Sequence, residues 1–152
     1  MRKKLAISWK ETAAAIDNAR AVLPPLASEY FRMGSKAAAA GTSEEKLHGF
    51  RLATKRFRYT LEMFVPLYGP GLESRLKQVR RVQQVLGELQ DCQVICQLKP
   101  VQEHERLLRW VQRRLERKKA EFRRLWNSQF AAPAVEQNWV RYLRRNTRER
   151  GA

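Results

Sequence analysis

The chain has 152 residues, 43% of them hydrophobic and 9% aromatic, which suffices for one compact domain with its own apolar core. With 30% charged residues and only 7 glycines, the composition excludes a disordered chain. A formal net charge of +16, a pI near 10.8 and 21 arginines against 10 lysines point to an anionic partner. An excess of that size repels itself and attracts anions at long range, and the guanidinium fork donates paired hydrogen bonds to phosphate oxygens.

Helical periodicity runs through the whole chain and strand alternation is absent, so the expected fold class is all-α, an antiparallel bundle of five to six helices with a long C-terminal helix. A first helix is expected from about Ser8 to Leu23, broken by Pro24 and Pro25. A second runs from Leu26 to Ala40 and stops at Gly41. Thr42-Ser43-Glu44-Glu45 reads as a capping box with Thr42 at the cap, launching a third helix to about Val65. Pro66 to Gly71 reads as a turn, followed by a fourth helix from Leu72 to Gln90. Asp91 is expected to cap a short helix from Cys92 to Leu98. The longest helix is expected from about Glu103 to Phe130, and a last short one from Ala134 to Arg145, before a frayed tail from Thr147 to Ala152. Nothing divides the chain, so residues 1–152 are read as a single domain.

No apolar run approaches a membrane span, and the basic start Met1 to Leu5 is not followed by the apolar core of a secretory signal. Two cysteines, Cys92 and Cys96, build no disulfide framework. A cytoplasmic protein is expected. Zinc bound by Cys92, Cys96 and His104 lacks a fourth ligand and a known spacing, so neither metal nor cofactor is expected.

The cations lie in rows. Residues 1–41 hold seven basic and three acidic side chains, against 24 and 12 in the remainder, so the anion-binding surface is expected after Gly41. At about 100° per residue, His48, Arg51, Lys55, Arg58 and Glu62 fall within an arc of roughly 80°. Phe50, Phe57, Leu61 and Phe64 fall on a separate, core-facing arc, and Arg56 flanks the basic stripe. On the fourth helix Lys77, Arg80, Arg81 and Gln84 oppose an apolar face, and Gln83 lies near its edge. On the long helix Arg106, Arg109, Arg113, Arg117 and Arg124 form a row. A solvated charged face is the ordinary reading of one such helix. Here opposite charges look too scarce to pair along the rows, and like charges at these spacings repel, so a multivalent anion would relieve a real cost.

The stretch from Leu47 to Tyr59 contains a histidine, an arginine three residues later, and then the cluster Lys55-Arg56-Phe57-Arg58. After it come Leu61-Glu62-Met63-Phe64, Pro66-Leu67-Tyr68-Gly69, and Leu86-Gly87 with Asp91 four residues on. Over residues 43–98 the chain resembles the CHAD domain, a family of histidine-containing helical domains associated with inorganic polyphosphate. The resemblance implies two related helix bundles with a basic surface that binds polyphosphate. It implies phosphate contacts at His48, Arg51, Lys55, Arg56 and Arg58, with Lys77, Arg80 and Arg81 carried over on a less distinctive register. It also implies association with polyphosphate granules or polyphosphate-metabolising proteins. The chain holds the signature once where typical members hold two divergent copies, so either one half suffices or two chains associate, and a homodimer is the preferred expectation.

The function expected is binding of polyphosphate without catalysis, with Arg109, Arg113 and Arg117 extending the site. The alternative is a general polyanion or nucleic-acid binder, although no base-reading helix, RNP-type strand or zinc finger is visible. An enzyme is not expected, since carboxylates are scattered and no GxxxxGK[ST] loop occurs. Gly87 is expected to be a close helix-packing point, and Trp9, Trp110, Trp126 and Trp139 to sit in the core or at its rim.

Overall fold

The computed structural model describes residues 9–145; Ser8, the basic start and the tail from Thr147 lie outside them. Among the described residues there are six helices and no strand: α1 (Ala15–Ala37), α2 (Glu44–Tyr68), α3 (Pro70–Cys96), α4 (Lys99–Gln102), α5 (Glu105–Gln129) and α6 (Pro133–Arg145). The protein is all-α, as its periodicity requires. α3 lies between α2 and α5, while α1 packs against α2 on one side and α6 on the other.

The helices are fewer and longer than the sequence predicts, because apolar periodicity outruns the local breakers. Pro24 and Pro25 do not end α1. They remove the amide donors that would reach Arg20 O and Ala21 O, but both of those residues are exposed, so water can serve the carbonyls. Leu23, Ala27, Tyr30 and Phe31 keep one buried face across the prolines. Pro66 likewise sits inside α2. The turn shrinks to Gly69, whose φ of 77° suits glycine, with Pro70 as the first residue of α3. Asp91 caps nothing: α3 runs through it, because Leu89, Cys92 and Gln93 carry the buried face onward. The cap of α2 is Ser43, not Thr42, its Oγ accepting from the Lys46 amide at 3.2 Å. His104 caps α5, with Nδ1 accepting from the Leu107 amide at 3.2 Å.

All six helices contribute to one apolar cluster. At its centre Tyr30 stacks on Phe57 and Phe50, with ring centroids 4.5 and 5.1 Å away, and meets Trp126 edge-on at 5.8 Å. Trp126 stacks on Phe130 at 4.6 Å. Burial of the Tyr30 hydroxyl drives its pKa far up. Trp126 and Trp139 are core residues, whereas Trp9 and Trp110 are half exposed.

Two glycines set how closely helices approach. A Cβ on Gly34 would lie 2.0 Å from the Trp126 ring, and one on Gly71 would lie 2.5 Å from the Tyr142 hydroxyl. α6 is locked down around that second contact. Arg75 lies 3.8 Å over the Tyr142 ring and donates to Asn138 at 2.7 Å, while Tyr68 donates to Leu143 O at 2.7 Å. Burial pushes the Tyr68 phenol up to about 12 and holds the Arg75 guanidinium below its ordinary value.

Gly34→Ala should lower the unfolding free energy by about 2–3 kcal/mol, because a rigid indole in a full core cannot yield to the new methyl. Urea unfolding followed by tryptophan fluorescence measures it; an unchanged midpoint would show that α1 can retreat from Trp126.

Candidate functional site

The signature row on α2 faces α3. Two cross-links fix the antiparallel register of the pair. At one end His48 Nδ1 and Gln90 Oε1 lie 3.1 Å apart, and at the other Arg80 donates to Glu62 at 3.3 Å. Between them Gly87 falls opposite the turn from Arg51 to Lys55, and Gln83 opposite the turn from Lys55 to Arg58. A Cβ on Gly87 would meet nothing within 4 Å. The close-packing role expected of Gly87 is therefore wrong: it lowers the wall of an open groove. Spacing by four and three puts Gln83, Gly87 and Gln90 on one line of α3, and that spacing was the signal available for Gln90.

Arg51, Lys55 and Arg58 are half-buried in this groove. The Nε atoms of Arg51 and Arg58 and Oε1 of Gln83 are buried without a hydrogen-bond partner. Arg58 Nε is 3.4 Å from Glu62 Oε1, an ionic contact that misses hydrogen-bond geometry, and its guanidinium lies 4.4 Å over the exposed ring of Tyr59. Neither Arg51 nor Lys55 makes an ion pair among the described residues. A buried donor without a partner costs about 1–3 kcal/mol relative to a paired one, so the two Nε groups favour an added acceptor.

The other predicted residues divide. Arg56 is exposed and stands roughly 150° round α2 from the Arg51–Arg58 line, outside the groove. Arg80 closes one end of the groove, donating to Glu73 at 2.8 Å as well as to Glu62; hydrogen bonding to Glu73 first, then to Glu62, raises its pKa. Lys77 is exposed on the outer side of α3. Arg81 turns the other way, towards α5, donating to Glu121 at 2.9 Å and to Gln84 at 3.2 Å. There Lys118 pairs with Glu88 and Glu121. Its hydrogen bond holds the Glu88 carboxyl below the ordinary range.

On α5, Arg109 pairs with Glu105 at 2.8 Å, while Arg113 and Arg117 are exposed on the face away from the core. Arg117 lines a shallow hollow with Arg114, Lys118 and Arg124. The expectation that these rows lack carboxylate partners thus fails for Arg58, Arg80, Arg81 and Arg109. Their partners are Glu62, Glu73, Glu121 and Glu105, of which only Glu121 comes from a different helix in every pair it makes with them. Because α3 is the middle helix, the α2 row and the α5 row flank it on either side, and the cations of three helices belong to neighbouring strips.

Among the described residues no group of three or more His, Cys, Asp and Glu lies together as a metal site, and no helix is long and apolar enough to cross a membrane. His104 Nδ1 is engaged as the cap of α5. Cys92 is buried, and burial pushes the Cys96 thiol up.

The fold and site define a helical domain with a cation-lined groove between two long antiparallel helices. The CHAD domain family model matches residues 1–100, and the chain belongs to that family. The match takes in the first 42 residues as well as the signature and stops before α5. No curated protein and no solved structure matches the chain.

Gly87→Ala should raise stability by about 0.5–1 kcal/mol, since it improves an uncrowded helix interior. Gly87→Glu should instead place a carboxylate against Arg51 and Lys55 and weaken anion binding. Thermal melts and titration with tripolyphosphate check the pair; an unstable Gly87→Ala would mean that the groove wall is closed.

Proposed function

We propose that the protein binds inorganic polyphosphate, without catalysis, along the α2–α3 groove and the cationic strip of α5. The observation that carries this reading is the pair of buried Nε donors on Arg51 and Arg58 that make no hydrogen bond, beside the open space at Gly87. Membership of the CHAD family, which is associated with polyphosphate, supports the ligand class. A linear chain of phosphates needs repeated donors along a line and no base recognition, and Arg51, Lys55 and Arg58 supply them at successive turns.

Binding without chemistry agrees with the state of the carboxylates. Glu62, Glu73, Glu88 and Glu121 are each held by an arginine or lysine. They act as placeholders that keep cations apart until an anion arrives, not as bases or metal ligands. A cytoplasmic location, at polyphosphate granules, belongs to the same proposal. A general nucleic-acid binder remains the second reading on charge alone. The half-buried placement of the groove cations favours a slim chain over a duplex.

Calorimetric titration of long-chain polyphosphate and duplex DNA of matched charge, at two salt concentrations, tests the proposal. Polyphosphate should bind more tightly, lose affinity with salt as counterion release requires, and lose most of its affinity in Arg51→Glu/Arg58→Glu. Equal binding of both polymers, unchanged in that variant, would overturn it. Glu62→Gln should tighten polyphosphate binding by up to about fivefold, because it frees Arg58 and Arg80 from an exposed competitor. A weaker complex would mean that Glu62 positions the two guanidiniums.

A further inference from the structure

α3 separates two cationic strips, and the cross-links on its two sides set three helices in one register. On the α2 side the links are His48–Gln90 and Glu62–Arg80. On the α5 side they are Lys118–Glu88 and Arg81–Glu121. Counted along the antiparallel helices from these links, Gly87 stands level with the turn from Arg51 to Lys55 on one side and with Arg117 on the other. The groove cations and the α5 hollow lined by Arg114, Arg117 and Arg124 therefore lie at one height of the bundle, with Gly87 between them. None of those three arginines makes an ion pair among the described residues.

What lies between the strips is low and uncharged. Gln83 and Gln90 turn towards α2, and Arg81 and Glu88 towards α5, so the outward crest of α3 at this height is Arg80, Gln84, Gly87 and Asp91. Arg80 is engaged with Glu73 and Glu62, and the exposed Asp91 stands one turn beyond Gly87. From Gln84 to Gly87 the crest carries no charge, and at Gly87 there is open space where a side chain would begin. The α5 seam beyond it is no acidic barrier. Arg81, Gln84, Glu88, Lys118 and Glu121 close a ring of polar contacts in which cations and carboxylates are equal in number.

We propose that one polyphosphate chain crosses α3 at Gly87, joining the α2–α3 groove to the α5 hollow in a single transverse track, and that the protein thereby selects long chains over short oligophosphates. The track rests on the polyphosphate reading. Two interhelix spacings of about 8–10 Å each separate the two sets of cations. Tripolyphosphate is too short for that span, and a long chain covers it. Once one strip holds a chain, the other meets it at high effective concentration, so affinity rises with length without any new kind of contact. The absent side chain of Gly87 is then a determinant of length specificity.

Calorimetric titration of the full chain with tripolyphosphate and with long-chain polyphosphate tests this, with circular dichroism to check that the helices persist in each variant. The wild type should take tripolyphosphate at both strips. Arg51→Ala/Arg58→Ala and Arg114→Ala/Arg117→Ala should each remove one of those sites and weaken long-chain binding about tenfold or more. Gly87→Leu should weaken long-chain binding to a similar degree. That loss should vanish where Arg114→Ala/Arg117→Ala has already removed the far strip, because nothing is then left to cross to. Long-chain affinity unchanged in Arg114→Ala/Arg117→Ala would keep the chain within the groove and overturn the track. A Gly87→Leu loss that persists without the far strip would place the effect of the leucine in the groove, and no loss at all would give the chain another path; either overturns the crossing. A wild type that binds neither ligand would instead count against the polyphosphate reading itself.

Discussion

Arg51, Lys55 and Arg58 sit within two turns of one another on α2, and the apolar row on the same helix is what keeps them there. Like charges at these spacings push a helix apart by a few tenths of a kcal/mol per pair, and desolvation adds to that for half-buried guanidiniums. The opposing term is the burial of Phe50, Phe57, Leu61 and Phe64, all but sealed from solvent, at roughly 1.5–3 kcal/mol for each large side chain. The stacking of Tyr30 between Phe50 and Phe57 fixes the rotation of α2 about its axis. Rotation decides which wall the cations face, so the aromatic core determines where the charge goes.

The placement of the few acids follows from the same constraint. Glu62, Glu88 and Glu121 occupy the seams where α3 meets its neighbours, where uncompensated cations from two helices would otherwise face each other. None of these pairs is worth much as a surface salt bridge. Their effect is to thin the repulsion at the seams while leaving the middle of the α2–α3 groove, at Arg51 and Lys55, without an acid. A domain that only needed stability would spread its carboxylates evenly along the rows.

Much of this was legible in the sequence. The period-3.6 apolar rows of α2, α3 and α5 placed their buried faces, and the spacing of His48, Arg51, Lys55 and Arg58 placed those four on one stripe. The breakers misled where local chemistry and the core disagreed. Pro24, Pro25, Pro66 and Asp91 each have a reason to end a helix, and each is overridden by an apolar face that continues past it. The pairing across seams was not legible at all. Arg81 and Glu121 are 40 residues apart, and only the packing of α3 on α5 brings them to 2.9 Å.

Gly87 shows why a groove is harder to read than a helix. Within one helix a glycine is a weak point, and the usual compensation is a close neighbour that needs the space. Here no neighbour uses it. What the missing side chain does becomes visible only once His48–Gln90 and Glu62–Arg80 set the register that puts Gly87 opposite Arg51 and Lys55. An absent Cβ, two buried Nε atoms and an amide oxygen without a hydrogen bond are separate irregularities along the chain. The packing of α2 on α3 brings the two Nε donors and the open space at Gly87 to one seam, and the anion-binding proposal rests on that juxtaposition; the Gln83 oxygen, an acceptor, needs a donor instead.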